Sequence, residues 1–381
     1  MTVRTMVVGD GATSTDVLVI GGGPGGYVAA IRAAQRDLDV TLVEKDAYGG
    51  TCLNHGCIPS KAFITAADVA HDAGNADAMG IHADPTVDMA GLAAWKDGVV
   101  DRLTSGVEKL CKANGVSLVA GTATFEGEHT ARIAHDGDEA AESVAFEHCV
   151  VATGSRPIEI PGFSFADDPV WTSRDALAAE TVPDELVVVG AGYIGMELST
   201  MFAKIGADVT VVEMLDAALP VYDDDITRIV RSRAEDLGVE FRFGEGASEW
   251  RDAGDGIEVV TETEDGEAST HAADKVLVAV GRQPVTDTVA LDAVGRRLLL
   301  RPPVLQAADE DVDRSVGVQR EERVGPGEPG EVQLVGVLLR GVNQVAVRLE
   351  VGEAVVEPRS VHTCPCSGRG KAVVLSEPAR R

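Results

Sequence analysis

The sequence predicts an α/β protein built on two doubly wound dinucleotide-binding units. Two observations carry this expectation. At residues 16–44 an apolar run leads into a Gly-x-Gly-x-x-Gly turn, an alanine-rich helical stretch and a second apolar run that ends in an acid. The same order returns at residues 186–213, 169 positions later, and in both copies 23 residues separate the first glycine from the acid. That interval is close to the roughly 20 residues expected of a Rossmann-like dinucleotide fingerprint.

In the first unit the run Asp16 to Ile20 reads as a buried parallel strand. Gly21, Gly23 and Gly26 permit a tight turn and close approach of a pyrophosphate. The helix that follows turns its unpaired amides and positive dipole end toward that anion. Glu44 closes the next strand, where a carboxylate accepts from ribose hydroxyls. The second unit repeats each part with Gly190, Gly192, Gly195 and Glu213. An acid at position 213 favours a free ribose 2′-hydroxyl, hence NAD, because a 2′-phosphate would be repelled. Two phosphate cradles imply two dinucleotides on one chain.

Between the first unit's second strand and the helical region lies Gly49-Gly50-Thr51-Cys52-Leu53-Asn54-His55-Gly56-Cys57-Ile58-Pro59-Ser60-Lys61. A cysteine pair five apart on one turn of helix can close a small, labile disulfide of the catalytic kind. Cys-x4-Cys alone reads as two free thiols in a loop, so the redox reading rests on the whole thirteen-residue order and the resemblance it carries. Lys61 falls one helical turn past Cys57, on the same side.

This stretch resembles the redox signature of the pyridine nucleotide-disulfide oxidoreductase family, in its dihydrolipoyl dehydrogenase branch. His55 departs from the apolar or aromatic residue expected at its position. The resemblance covers residues 16 to about 287 and implies an NAD unit inserted into an FAD unit. It divides the chain into 1–155 (FAD-binding, with the redox disulfide), 156–281 (NAD-binding) and an unmatched 282–381. By resemblance Cys52 exchanges with substrate sulfur and Cys57 makes the charge-transfer contact with the flavin. Lys61, near the flavin, pairs with Glu197. Gly50 and Thr51 line the flavin, Ala123 offers backbone to its adenine, and Thr153 and Gly154 close the first flavin-binding section. Gly281 lies in the segment that leaves the NAD unit. The implied substrate is dihydrolipoamide, free or on the lipoyl domain of a 2-oxoacid dehydrogenase complex, and the implied assembly is a homodimer. A glutathione-type reductase would use NADPH, against Glu213. A mercuric reductase would carry an adjacent cysteine pair, which Cys364-Pro365-Cys366 is not. A flavin- or NAD-binding remnant without turnover is the non-enzymatic alternative.

Composition narrows the setting. The 381 residues suffice for two or three domains, and no run of eighteen apolar residues occurs, so no membrane span is expected. The start lacks a secretory pattern, and six cysteines do not make a secreted disulfide framework, so a reducing cytoplasm is expected. The net charge of −29 speaks against nucleic acid and anionic membranes and fits a high-salt cytoplasm. His71, His82, His129, His135 and His271 show no metal-ligand spacing and read as surface residues; no metal is expected. Cys111 and Cys149 read as inert buried thiols. Residues 62–110 read as helical, with Trp95, Val99, Leu103, Val107 and Leu110 on one packing face.

The texture changes near residue 288. Residues 288–381 hold 13 acidic and 13 basic side chains, so the whole negative excess lies before them. They also lack Phe, Trp and Tyr, and arginine outnumbers lysine 12 to 1. No Gly-Asp follows residue 287, and the one late histidine, His362, lacks the His-Pro-Thr context of the family's catalytic base. These features lead to the expectation that the stretch is read in a shifted frame or is degenerate.

Overall fold

The computed structural model describes residues 13–135 and 141–294, together with the backbone of 333–338 and 345–350. β1 (Thr13–Ile20), α1 (Pro24–Ala34) and β2 (Val40–Glu44) make the first strand–turn–helix–strand. α2 (Gly50–Asn54), α3 (Cys57–Gly74) and α4 (Met89–Ala113) follow. β3 (Ser117–Ala120), β4 (Thr122–Gly127), β5 (Thr130–Ala134) and β6 (Glu142–Val151) complete a six-stranded sheet in the order β3-β2-β1-β6-β5-β4. Its first four strands are parallel, and β5 and β4 are antiparallel. Leu18, Val19, Val40 and Leu42 are fully buried, as strands covered on both faces require.

After β7 (Ser155–Pro157) the chain enters the second unit. β8 (Val170–Trp171), α5 (Ser173–Ala176), β9 (Glu185–Val189), α6 (Tyr193–Lys204), β10 (Asp208–Glu213), α7 (Asp224–Asp236) and β11 (Glu240–Phe243) come next. β12 (Glu245–Asp252), β13 (Ile257–Thr263), β14 (Ala268–Ala273) and β15 (Lys275–Val278) end the unit. A five-stranded sheet runs β11-β10-β9-β15-β8, and β12-β13-β14 form an antiparallel sheet that shares a buried cluster with it through Val259, Ala273, Val187 and Val276. β16 (Arg282–Pro284) then pairs antiparallel with β7, so the second unit leaves and rejoins the first at one crossing. The insertion expected from sequence is therefore present.

The chain past the crossing belongs to the first unit. Phe125 donates its amide to the Val289 carbonyl at 3.0 Å, and Val289 is buried among Ile20, Phe125 and Val151. Arg156 grips Asp287 with two hydrogen bonds of 2.9 Å. Packing of the first unit thus continues beyond residue 287. β17 (Gln333–Leu338) and β18 (Val345–Glu350) pair antiparallel.

Two sequence expectations need correction. The helical region is broken, because α3 stops at Gly74 and α4 begins at Met89, where Asp88 caps it by accepting from the Gly91 amide. The α4 face expected to pack is largely solvent-facing, with Trp95, Leu103 and Leu110 being 49%, 41% and 56% exposed. Of the expected face only Val107 is buried, and the core adds Met89, Leu92, Lys96 and Cys111 from α4. Lys96 can replace an apolar residue there because its Nζ donates to the Leu177 carbonyl at 3.1 Å and lies over the Phe63 ring, 5.7 Å from its centroid. Among the described residues no helix is long and apolar enough to cross a membrane.

Candidate active site

Both glycine turns are forced by backbone geometry. Gly21 has φ +102°, and a Cβ there would stand 2.2 Å from the Ala152 carbonyl oxygen. A Cβ on Gly26 would lie 1.7 Å from the Gly21 oxygen, so the helix can close on the strand only without one. In the second unit Gly190 has φ +105°, and a Cβ on Gly195 would lie 1.9 Å from the Gly190 oxygen. Both helices start with Gly23 or Gly192 as N-cap and no side chain on the first amides, which leaves those donors for an anion. These cradles fit the pyrophosphates of two dinucleotides.

The two acids are placed alike. Glu44 accepts from the Gly22 amide at 2.6 Å and the Asp46 amide at 2.9 Å. Glu213 accepts from the Ala191 amide at 2.8 Å and the Leu215 amide at 3.0 Å. Each carboxylate is locked to the turn it follows, and its remaining lone pairs are free for ribose hydroxyls.

The redox stretch lies over the first cradle. The Gly49 amide donates to the Gly22 carbonyl at 2.8 Å, and a Cβ on Gly50 (φ +58°) would meet the Gly23 Cα at 2.5 Å. Thr51 and Cys52 follow on α2. Here the expectation of one helical turn bearing both cysteines is corrected. α2 ends at Asn54, His55 and Gly56 break the helix, and Cys57 is the first residue of α3. The break has a local cause, since a Cβ on Gly56 would sit 3.0 Å from the Thr51 carbonyl that already accepts the His55 amide. It places Cys57, exposed, at an uncapped helix start, where negative charge on sulfur is stabilised.

The two sulfurs meet. Burial, reinforced by the Cys57 thiol beside it, pushes the Cys52 thiol up to about 12, while the Cys57 backbone amide and then the Lys61 charge oppose the rise. Lys61 Nζ lies 2.6 Å from Glu197 Oε1 on α6. One thiol pair, one cradle of the first unit and the helix of the second are thereby joined. Tyr27 and Tyr48 pack in the same cluster as Cys52, and burial raises both phenols, Tyr48 to about 12. Neither tyrosine was singled out from sequence; their place directly after a glycine turn and before Gly49 is the signal that marks them.

The remaining expected residues spread along the crossing. Thr153 Oγ1 bonds the Val285 carbonyl, and the Val285 amide donates to the Gly154 carbonyl at 3.0 Å. Gly281, with φ +140°, accepts from the Ile158 amide at 3.1 Å. Arg282 bonds Ser155 through the hydroxyl at 3.0 Å and the carbonyl at 2.5 Å, and burial lowers its pKa. Ala123 has its side chain buried and pairs with Ile133, at the sheet edge away from the cysteines. Cys111 and Cys149 are buried, and burial drives both thiols upward. His271 is not a surface residue: it lies within 3.4 Å of Glu245 and 3.2 Å of Thr261 on the three-stranded sheet. His362, Cys364 and Cys366 lie outside the described residues.

The chain is similar to known proteins. The pyridine nucleotide-disulphide oxidoreductase pattern matches residues 15–298, eleven positions past Asp287. The chain is 69% identical over 291 residues to a dihydrolipoyl dehydrogenase of Haloferax volcanii, covering 76% of this chain and 61% of that protein. It is 60% identical over 326 residues to one of Halobacterium salinarum, covering 85% and 68%. Among solved structures, LpdA of Mycobacterium tuberculosis superposes with a TM-score of 0.68 at 25% identity, covering 75% and 62%. The flavoprotein disulfide reductase RclA of Escherichia coli does so with 0.64 at 27% identity, covering 74% and 60%. The chain spans about three fifths of the length of the Haloferax relative. With two glycine cradles, a thiol pair over the first and a matching pattern across three quarters of its length, the chain belongs to the pyridine nucleotide-disulphide oxidoreductase family.

Proposed function

We propose that the chain is a flavin-dependent thiol oxidoreductase of the dihydrolipoyl dehydrogenase type, oxidising a dihydrolipoyl group with FAD as resident cofactor and NAD as acceptor. The observation that carries this is the Cys52–Cys57 contact over the first cradle, tied through Lys61 to the helix of the second. The identity to dihydrolipoyl dehydrogenases of halophile-named genera supports it. When bound, flavin and nicotinamide supply the hydride transfer that no side chain here provides.

The chain's own residues handle sulfur and charge. Once Cys52 and Cys57 are oxidised to a disulfide, a substrate thiolate attacks the Cys52 sulfur. A substrate–Cys52 bond forms, the Cys52–Cys57 bond breaks, and the electron pair leaves on Cys57. Cys57 suits that role because the first amides of α3 are uncapped beside it. The second substrate thiol then displaces Cys52, which leaves as a thiolate and takes up a proton, its thiol form being favoured by burial. Glu44 and Glu213 orient the two riboses, and Lys61 holds a positive charge at the thiol pair. In the family the base that deprotonates the substrate thiol comes from the partner subunit's C-terminal domain, and no His-Pro-Thr segment that would carry it follows residue 287 in this sequence. A cytoplasmic homodimer serving a 2-oxoacid dehydrogenase complex completes the proposal.

The test is steady-state reduction of NAD by dihydrolipoamide in the full chain, with Cys52→Ser and Cys57→Ser beside it. Turnover that falls by about 10³-fold or more in both variants is expected. The reduced chain should show a long-wavelength thiolate-to-flavin absorption that Cys57→Ser removes and Cys52→Ser keeps. Full activity in both variants would show the assignment to be wrong.

A further inference from the structure

Two ion pairs tie α3 to α6 across the boundary between the units. Lys61 Nζ lies 2.6 Å from Glu197 Oε1, and Lys204 Nζ lies 2.5 Å from Asp68 Oδ1. Lys61 and Asp68 are seven residues apart on α3, and Glu197 and Lys204 are seven apart on α6. Seven residues make nearly two turns, about 10 Å of helix, so both pairs lie along one seam. Partner numbers rise together, so the helices run parallel. Phe63 and Ala67 of α3 share a buried cluster with Leu198, Met201 and Phe202 of α6.

The polarity of the pairs is reversed along the seam. α3 presents the cation first and the anion second, and α6 the opposite. Any exchange of partners sets Lys61 against Lys204 or Asp68 against Glu197, like charge on like. The pattern therefore favours one register and penalises the alternatives. The second pair is the better sheltered: the Lys204 side chain is 22% exposed against 56% for Lys61, and a less exposed pair is less screened. Cys57 opens α3 and the second cradle opens α6, so the register of this seam sets the thiol pair against the dinucleotide turn of the other unit.

We propose that Asp68 and Lys204 are positioning residues for the redox centre, holding α3 on α6 in the register that keeps Lys61 on Glu197 and its charge on the Cys52 sulfur. This rests on the reading of Cys52 and Cys57 as exchanging thiols. The groups that bear on Cys52 are Cys57, Lys61 and Tyr27. The Cys57 backbone amide favours the Cys52 thiolate by hydrogen bonding and Lys61 favours it by charge; Lys61 is the one of the two held by the seam, so displacing it moves Cys52 ionisation to higher pH.

The experiment follows alkylation of Cys52 by iodoacetamide against pH in the full, reduced chain, with the site read by peptide mass. Lys61→Met sets the reference shift. Asp68→Lys and Lys204→Asp should each raise the midpoint toward that reference, by about 0.5 pH unit, a roughly threefold loss of thiolate at fixed pH. The double swap Asp68→Lys/Lys204→Asp should return it toward wild type. Asp68→Asn should shift it less in the same direction, and serves if the charge reversals unfold. A role confined to stability would lower the melting temperature and leave the midpoint in place. Wild-type midpoints in Asp68→Asn and in the single reversals, or in Lys61→Met itself, overturn the proposal. Failure of the underlying reading shows separately, as dihydrolipoamide turnover that survives in Cys52→Ser and Cys57→Ser.

Discussion

The two glycine cradles are nearly the same object locally and different objects in context. Both have a left-handed first glycine, a third glycine pressed on the first, and an acid locked to the turn. At the middle glycine they part. A Cβ on Gly23 would meet the Gly50 Cα at 3.7 Å, whereas a Cβ on Gly192 would find nothing within 4 Å. The first cradle is roofed by the redox stretch and the second opens outward. A roofed anion site holds its ligand against exchange and an open one releases it. Under the proposed function the same fingerprint would serve a resident cofactor in one unit and a consumed substrate in the other, and what is stacked on the turn would make the difference.

The largest expected effect breaks the roof. Gly50→Ala places a side chain at φ +58° and 2.5 Å from the Gly23 Cα. Strain and overlap together should cost about 2–4 kcal/mol of stability. They should also loosen the flavin, seen as cofactor lost on gel filtration. Gly192→Ala has open space and no forced φ, so its melting point should stay near wild type and its effect should fall on the KM for NAD. Equal destabilisation by both substitutions would contradict the roofed–open distinction.

A smaller effect concerns the acids. Glu213→Gln should weaken NAD binding by about 1–3 kcal/mol, since a charge-assisted hydrogen bond to ribose is replaced by a neutral one. Glu213→Arg should move the preference toward NADPH. Glu44→Gln should leave nucleotide preference untouched and show itself in flavin retention. An unchanged NADH to NADPH ratio in Glu213→Arg would mean that another side chain reads that ribose.

The cradles were legible in the sequence because their geometry is local. A glycine needed for φ, a glycine needed for contact and an acid at a strand end leave a spacing that survives translation into three dimensions. Lys61 with Glu197, 136 residues apart, was legible only through the family resemblance. What escaped is set by packing between distant segments. The exposed Trp95 stripe follows from α4 turning Lys96 inward, onto the Leu177 carbonyl 81 residues away. His271 is drawn in by Thr261 on the neighbouring strand and by Glu245 on the strand beyond it. No spacing rule carries those contacts.

Among the described residues only the roofed cradle has a cysteine pair over it, and its Cys52 separates the units again at high pH. Cys52 has its folded value raised to about 12 from an ordinary 9.0, first by burial. A group raised on folding stabilises the native state below its unfolded value and loses that contribution as pH climbs to the folded one. The reduced chain should therefore lose stability between about pH 9 and 12 relative to the oxidised chain, in which the thiol is absent. The loss should vanish in Cys52→Ser. Parallel stability–pH curves for reduced and oxidised protein would count against a buried Cys52 thiol.

The smallest expected effect at any one site, though not in sum, is that of salt. Net charge is unequal between the units: residues 13–157 hold 20 acidic and 10 basic side chains, and residues 158–281 hold 27 and 8. The second unit thus carries −19 on fewer residues than the −10 of the first. Several of the described cations there are already paired, as Arg231 with Glu235, Arg242 with Glu240, Arg251 with Glu249 and Lys275 with Asp168, so the excess carboxylates repel one another across open surface. In 0.1 M salt the screening length is about 10 Å, spanning several neighbouring carboxylates, and at 1 M it falls to about 3 Å, within a single contact. Thermal stability should therefore rise from 0.1 to 2 M potassium chloride, and the rise should reside in the second unit. Hydrogen exchange at low salt should show β12–β14 and α7 opening before β1, β2 and β6. As salt increases, protection should grow faster in the second unit than in the first. Equal salt slopes in the two units would assign the effect to general salting-out of apolar surface, and a flat melting temperature would remove self-repulsion as a factor in this fold.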